Sequence, residues 1–314
     1  MKTNIGLLLR KRAEISPDKE AFVEHERGRR FSYAELNARA NRVANSLLAA
    51  GVKPGERVAV LMKNSIEFIE TYYAVAKIGA TLVPVNWRLV SAEIGYILAD
   101  CGATTLVFDD DFDDAVDDLH DAPPKGLTVS RWYRRDNGGD AEPAWSTDYA
   151  ELLRGDTDEP PIGAWDDDLL FIMYTSGTTG HPKGAMHSHE GMLWSQLTSM
   201  STSDMRGDDR FLLPLPMFHV GCLNPVSLLV HRGACGVIMR ELDIGEMFKC
   251  IARERVTIFM SVPALLQYML APLEGGQADM SSVRWIATGA APVPVSLLKA
   301  FKALGIACLL YTSP

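Results

Sequence analysis

Segments with strand periodicity alternate with segments with helix periodicity along most of this chain, and that alternation restricts its fold more than any other feature. Ser32 and Glu35 form the S-x-x-E capping pattern before apolar residues at helical spacing, and Gly51 stands where that helix should end. A second capping pattern begins at Asn64. Strands are predicted at 57–62, 81–85 and 104–108, with helices between them at 64–77 and 91–100. This order predicts a parallel, doubly wound sheet.

The second half of the chain shows the same alternation. Strands are predicted at 169–174, 211–215, 234–239, 257–260 and 285–288, and helices at 189–200, 244–254, 264–270 and 295–304. Because 314 residues are many for one compact domain, two subdomains are favoured. We therefore expect an α/β fold of two doubly wound, largely parallel sheets with flanking helices. The first subdomain is expected over 1–168 and the second over 169–314.

The segment 109–168 lacks clear periodicity. It is acidic up to Asp121 and rich in proline, glycine and charge after it, so we expect an acidic, irregular connector at about 109–168. We interpret Arg131, Arg134 and Arg135 as solvated loop charges.

Composition excludes several classes of protein. The net charge of −9 argues against a nucleic-acid partner, which would require a basic surface. The five cysteines lie far apart without a C-x-x-C pair, which is typical of a reducing cytoplasm and predicts neither disulfides nor a zinc site. Two uncharged stretches, 211–230 and 256–273, are interrupted by prolines, so no transmembrane segment is expected.

The most informative window for chemistry follows the apolar strand at 169–174. It consists of Thr175, Ser176, Gly177, Thr178, Thr179, Gly180, His181, Pro182, Lys183 and Gly184. Glycines let the backbone approach a ligand closely, while hydroxyls, backbone N–H groups and Lys183 can bind phosphate oxygens. The spacing differs from that of a Walker A loop. A strand that ends in such a loop predicts a polyphosphate-binding site.

The stretch 174–184 resembles, without a gap, the phosphate-binding signature of the adenylate-forming superfamily, which includes acyl-CoA synthetases, aryl-CoA ligases and adenylation domains. The chain is most similar to bacterial long-chain fatty-acyl-CoA synthetases, over about residues 5–304. The resemblance implies that ATP and coenzyme A are co-substrates and that Mg²⁺ is a cofactor. It also implies that the loop holds the β- and γ-phosphates, with Thr175 and Lys183 among the catalytic residues.

Two further windows carry the resemblance. The stretch 214–221 is similar to the family's P-x-F-H-x-x-G element, although Gly221 comes one residue early. By position, His219 would orient the carboxylate, and the acyl pocket would be lined by His219, Val220, Gly221, Val262 and Pro263. Leu223 and Asn224 follow where some members have a tryptophan gate, so that gate is not expected.

The third window resembles the family's G-G-A-P adenine-binding segment. It comprises Gly289, Ala290, Ala291 and Pro292, with Ala290 where the second glycine often stands. The resemblance implies that a flat ring lies against this backbone.

Together these windows imply that a carboxylic acid, which we expect to be a fatty acid, is activated to acyl-AMP and then transferred to coenzyme A. Another adenylating enzyme, such as an aryl-CoA ligase, stays an alternative. A peptide-synthetase adenylation module would need an acidic pocket residue, and 285–292 has none. A non-catalytic nucleotide-binding remnant is the other alternative.

The end of the chain departs from the family pattern. A Tyr-Gly-x-Thr-Glu element, whose glutamate holds magnesium, should follow residue 304, and a lid domain with a catalytic lysine should come later. The chain instead ends Leu309-Leu310-Tyr311-Thr312-Ser313-Pro314. We therefore expect an N-terminal fragment that lacks the lid domain and metal ligands and is inactive alone. A cytoplasmic location is expected, and peripheral membrane contact and oligomeric state are left open.

Overall fold

The structure is a computed structural model that describes residues 2–139, 143–175 and 181–311. Strands and helices alternate along the described residues. The strands are β1 (Glu20–Glu24), β2 (Arg29–Ser32), β3 (Arg57–Leu61), β4 (Thr81–Pro84), β5 (Ala103–Asp109), β6 (Arg131–Arg135), β7 (Thr147–Asp148), β8 (Leu169–Thr175), β9 (Lys183–Ser188), β10 (Arg210–Leu213), β11 (Cys235–Ile238), β12 (Ile258–Ser261), β13 (Trp285–Gly289) and β14 (Ala307–Tyr311). The helices are α1 (Ile5–Ile15), α2 (Tyr33–Ala49), α3 (Ile66–Ile78), α4 (Ser91–Cys101), α5 (Asp113–Asp121), α6 (Tyr149–Leu152), α7 (His189–Thr202), α8 (Val220–Arg232), α9 (Ile244–Glu254), α10 (Pro263–Glu274) and α11 (Val295–Ala303).

Two seven-stranded sheets organise the described residues. The first sheet has the order β7-β6-β5-β3-β4-β8-β9, and the second has the order β14-β13-β12-β10-β11-β1-β2. Neighbouring strands are parallel except for the pairs β1–β2 and β8–β9, which are antiparallel. The expected α/β fold of two largely parallel sheets with flanking helices is therefore confirmed.

The two sheets do not divide the chain at residue 168. Strands β8 and β9 lie in the first sheet, where Phe171 pairs with Leu82, and strand β1 lies in the second sheet, where Phe22 pairs with Gly236. A Cβ at position 236 would lie 2.4 Å from the Phe22 ring, so the glycine lets the two strands approach. These pairings join segments far apart in sequence, and periodicity carries no information about them.

The region expected to be an irregular connector contains regular elements between irregular stretches. Strand β6 pairs in parallel with β5 on one side and with β7 on the other, and helices α5 and α6 lie in the same region of the chain. Arg134 and Arg135 in β6 were wrongly interpreted as solvated, because they are 2% and 4% exposed. Arg134 binds Asp113 at 2.6 Å, and Arg135 binds Asp109 at 2.9 Å. Paired carboxylates therefore let a charged sequence form an inner strand.

Local capping signals were mostly accurate. The Ser32 hydroxyl accepts from the Glu35 N–H at 3.2 Å, and the Glu35 carboxylate accepts from the Ser32 N–H at 2.7 Å, which confirms the capping box. Helix α3 is capped instead by Ser65, whose hydroxyl accepts from the Phe68 N–H at 3.2 Å. The prediction of Asn64 as the cap was wrong, because its side chain reaches the second sheet.

Helix α3 fixes the two sheets relative to each other, and all thirteen of its residues are buried. The Tyr72 hydroxyl lies 2.6 Å from the Ser227 hydroxyl, and the Tyr73 hydroxyl donates to the Val226 carbonyl at 3.4 Å. Because α3 connects β3 to β4 and α8 connects β10 to β11, this contact sets one sheet against the other. None of the described helices combines the length and apolar character needed to cross a bilayer.

Candidate functional site

Three neighbouring strands carry predicted site residues at their carboxyl ends. These are the windows 214–221 and 289–292 and the predicted acyl-pocket residues Val262 and Pro263. Strands β10, β12 and β13 lie side by side and run parallel, with Leu212 opposite Phe259 and Ser261 opposite Thr288. Residues that follow these strands therefore meet at one edge of the sheet, which is where α/β proteins bind ligands.

His219 follows β10 and is the N-cap residue of α8. Its N–H donates to the Pro216 carbonyl at 3.1 Å, and its carbonyl accepts from the N–H groups of Cys222 and Leu223 at 3.0 Å. The imidazole is exposed and lies 4.4 Å from the Phe218 ring, centroid to centroid. Its place at the start of a helix suits recognition of an anionic carboxylate.

The pKa of His219 lies below its ordinary value, because burial disfavours the charged imidazolium and the nearby Arg88 charge repels it. The ring is therefore neutral at pH 7. It can donate one hydrogen bond to a carboxylate, and it does not need to act as a base, because carboxylates are already ionised at that pH.

Two residues from the first sheet join this edge, and sequence reasoning missed both. The Trp87 ring lies edge-on to Phe218, with 6.0 Å between centroids, and the Arg88 guanidinium lies 4.7 Å from the Trp87 ring centre. Within the described ranges, Arg88 has no carboxylate at ion-pair distance. Both residues lie two and three positions after the end of the strand predicted at 81–85, and this nearness to a strand end was the signal that could have identified them.

The predicted acyl-pocket residues occupy the starts of two helices. Val220 and Gly221 begin α8, and Val220 is 48% exposed at the surface. Val262 is the N-cap residue of α10, and Pro263 is its first residue. The structure brings these residues to one edge, while their role in acyl binding stays a prediction.

The predicted adenine-binding segment lies at the end of β13. Gly289 closes the strand, and Ala290, Ala291 and Pro292 are exposed. Ala290 has φ of +65°, a left-handed conformation that favours glycine and explains the preference for glycine at this position in the family pattern. The buried hydroxyl of Thr288 has no hydrogen-bond partner among the described residues.

The predicted phosphate loop is described only at its two stems. Thr175 ends β8 and pairs with Lys183, which starts β9, and Tyr174 pairs with Gly184. Ser176, Gly177, Thr178, Thr179 and Gly180 lie outside the described residues. Lys183 and Gly184 thus belong to a strand and not to the loop that we expected, because β9 pairs with β8 as an antiparallel partner.

The available groups fit a nucleoside triphosphate. Lys183 is exposed, and no carboxylate among the described residues lies at ion-pair distance from it. Backbone at 289–292 is open to a flat ring. For a metal ion the fit is absent in the described part of the chain, where no group of three or more histidine, cysteine, aspartate or glutamate residues could hold one.

Comparisons with known proteins agree with this geometry. Residues 9–312 match the family described as AMP-binding enzyme. The chain is 42% identical over 305 residues to the long-chain-fatty-acid–CoA ligase FadD13 of Mycobacterium tuberculosis, and the aligned region covers 96% of this chain and 58% of FadD13. It is 36% identical over 301 residues to the feruloyl-CoA synthase of an Amycolatopsis species, and that aligned region covers 95% of this chain and 56% of the synthase.

A solved structure supports the same relationship. The inhibitor-bound crystal structure of the N-terminal domain of FACL13 from Mycobacterium tuberculosis matches with a TM-score of 0.92 and 39% identity, over 99% of this chain and 76% of that one. The resemblance inferred from the three windows is thus confirmed. The chain spans 58% and 56% of the lengths of the two curated relatives.

Proposed function

We propose, because this chain belongs to the AMP-binding enzyme family, that it carries the nucleotide- and acyl-binding surface of an ATP-dependent acid–thiol ligase that acts on a fatty acid. The observation that carries the proposal is the meeting of His219, the segment 289–292 and Val262 at the carboxyl ends of adjacent parallel strands. Cytoplasmic location and coenzyme A as the acceptor thiol belong to the same proposal.

The first half-reaction joins a carboxylate oxygen to the α-phosphorus of ATP, and the bond from that phosphorus to the pyrophosphate oxygen breaks. Lys183 would stabilise the negative charge that develops on the departing pyrophosphate. Thr175, at the opposite stem, would donate a hydrogen bond to the same phosphates. The segment 289–292 would support the adenine ring. No step is assigned to Mg²⁺, for which the described residues offer no ligand cluster.

His219 would hold the acid rather than transfer a proton. Its neutral ring would donate a hydrogen bond to one carboxylate oxygen and leave the other free to attack. In the second half-reaction a thiolate sulfur bonds to the acyl carbon, and AMP leaves with the electron pair of the broken C–O bond.

A fatty acid is favoured as the acid because the relative with 42% identity is named a long-chain-fatty-acid–CoA ligase. The apolar residues Val220, which follows His219, and Val262, which follows the neighbouring strand β12, suit an alkyl chain. An aryl acid is the second candidate, because a relative at 36% identity is named a feruloyl-CoA synthase.

The test is calorimetric titration of the 314-residue chain with ATP and with palmitate and ferulate as probe acids, because we expect this chain to be inactive alone. We expect binding of ATP and of palmitate, and we expect Lys183→Ala to raise the Kd for ATP at least ten-fold. The matched control is Lys249→Ala, because Lys249 is an exposed α9 lysine that pairs with Glu246. Tighter binding of ferulate than of palmitate would overturn the fatty-acid assignment. ATP binding without binding of either acid would favour the nucleotide-binding remnant.

A further inference from the structure

Helix α4 contacts both stems of the phosphate-binding hairpin, which we define by its described stem residues 174–175 and 181–184. The Tyr174 hydroxyl, near the end of β8, donates to the Asp100 carboxylate at 2.5 Å. The His181 ring, just before β9, stacks on the Tyr96 ring with 5.0 Å between centroids and 22° between planes. Because Tyr96 and Asp100 are four residues apart, they share one face of the helix.

Gly184 on β9 makes room for the contact between Tyr174 and helix α4. Gly184 lies opposite Tyr174, and a Cβ at position 184 would lie 3.2 Å from the Tyr174 ring and 2.7 Å from an Ile172 methyl group. The glycine thus leaves room for the tyrosine ring to lie across both strands. This position directs the tyrosine hydroxyl outward to α4.

The helix is itself firmly held. Ile94, Ile97 and Leu98 are buried in a hydrophobic cluster that also contacts Ile172 and Tyr174. A Cβ at Gly95 would lie 2.8 Å from a Leu119 methyl group, so α4 and α5 are in close contact there. A helix with this packing can act as a fixed support.

The hairpin needs such a support. Strand β9 lies at the edge of the first sheet, and β8 is its only strand neighbour among the described residues. If a ligand must order an edge hairpin when it binds, the entropy lost in that ordering weakens its binding. A hairpin that is already ordered binds the ligand without this loss.

We propose that Asp100 and Tyr96 are positioning residues that hold the two stems so that Thr175 and Lys183 face a nucleotide polyphosphate. The inference rests on the proposed function, and it assigns to α4 a role in ATP affinity. Neither residue touches the nucleotide in this proposal. They act through Tyr174, which directly precedes Thr175, and through His181, which lies two residues before Lys183.

The test compares the 314-residue chain with Asp100→Ala, Asp100→Asn and Tyr174→Phe by calorimetric titration with ATP. Asp100→Ala and Tyr174→Phe should each raise the Kd for ATP about five-fold, as for the loss of one hydrogen bond. The double variant should be no worse than either, since both remove the same bond. Asp100→Asn, which keeps an acceptor, should retain most of the affinity.

The matched control is Ser91→Ala, which removes a 2.8 Å hydrogen bond from α4 to Asp118 and leaves the hairpin contacts in place. It should leave the Kd unchanged. If Asp100→Ala prevents folding, Tyr174→Phe removes the same bond while it keeps the ring. An unchanged Kd in both Asp100→Ala and Tyr174→Phe would overturn the proposal.

A second readout separates this inference from the proposed function. Amide hydrogen exchange at Tyr174, Thr175 and Gly184 in the nucleotide-free chain should be faster in Asp100→Ala and unchanged in Ser91→Ala. If the unsubstituted chain binds no ATP, the proposed function fails, and the exchange rates still decide whether α4 holds the hairpin. Equal exchange in all variants would contradict the anchoring role directly.

Discussion

The side-chain oxygen of Asn64 accepts a hydrogen bond from the backbone N–H of Met217 at 2.8 Å, and this bond ties the first sheet to the turn that carries His219. The amide nitrogen of Asn64 donates to the Leu215 carbonyl at 2.8 Å and lies 3.4 Å from the Leu213 carbonyl. Asn64 is 5% exposed, so these backbone groups have little access to water as a substitute partner.

We expect Asn64→Ala to lower the free energy of unfolding by about 2–3 kcal/mol, because buried backbone groups lose their partners. Urea unfolding measures this change. The control Asn45→Ala removes two hydrogen bonds, to the Asp156 and Asp158 carbonyls, at the surface. It should cost less than about 1 kcal/mol. Equal losses for the two variants would contradict a special role for Asn64.

The left-handed backbone at Ala290 predicts an asymmetric response to substitution. A non-glycine residue in this region lowers the free energy of unfolding by about 1–2 kcal/mol through backbone strain. A glycine avoids the strain but lowers the same free energy by about 0.5–1 kcal/mol, because it gives the unfolded chain more conformational freedom. Ala290→Gly should therefore leave the free energy of unfolding unchanged or slightly raised, whereas Ala290→Val should lower it. Ala291→Val, at an exposed neighbour without positive φ, is the control. A more stable Ala290→Val protein would contradict this prediction.

His189 predicts a loss of stability in acid. Its ring is fully buried, its Nδ1 atom accepts from the Ile5 N–H at 3.1 Å, and burial lowers its pKa to about 4. The unfolded chain, with the ordinary pKa of 6.5, then binds more protons between pH 6.5 and pH 4. The stability contribution of the neutral ring is complete above pH 6.5 and decreases as the pH falls towards 4.

At pH 5 this histidine should account for about 2 kcal/mol of lost stability relative to pH 7.5. His189→Asn retains an acceptor for Ile5 but cannot titrate, so it should remove that part of the pH dependence. Unfolding at the two pH values measures this change, and an unchanged pH dependence in His189→Asn would refute the assignment.

Arg88 should control the protonation of His219. Its positive charge helps to hold the pKa of the imidazole below the ordinary value, so Arg88→Gln should raise that pKa, and Arg88→Lys should keep it low. Titration of the His219 ring proton by NMR measures the difference. A lower pKa in Arg88→Gln than in the unsubstituted chain would show that the arginine acts in another way.

Gly163 should be intolerant of any side chain. A Cβ there would lie 1.9 Å from the Ile78 carbonyl oxygen, so the backbone after α3 would have to move. Gly163→Ala should lower the free energy of unfolding by about 2 kcal/mol or more. At Gly207 the nearest backbone atom would lie 3.6 Å from the new Cβ, so Gly207→Ala should have little effect on thermal unfolding. Similar melting temperatures for the two variants would contradict the close approach.

Much of the secondary structure could be predicted because its signals are local. The Ser32–Glu35 capping box and the apolar periodicity of α2 depend on residues within a few positions of each other. The β8 strand was identified in the same way. The same reasoning misplaced Lys183 in a loop, because an antiparallel return strand leaves no distinct signal in a polar, glycine-rich segment.

The candidate site was only partly predictable. His219 and Ala290 were found from windows that resemble a known family, and Val262 from its position in that family. The structure places all three at the carboxyl ends of adjacent strands. Trp87, Arg88, Asn64 and Asp100 were missed as site residues, because each acquires its role through a contact with residues many positions away.

By itself the sequence determined the alternation of strands and helices, the caps of α2 and the chemistry available after β8, β10 and β13. These depend on backbone preference and on side-chain periodicity, which act over a few residues. Only the tertiary structure decided that β1 pairs with β11 and that β8 pairs with β4. Strand partners are selected by burial and hydrogen bonding across open sheet edges, which couple residues that no local pattern connects.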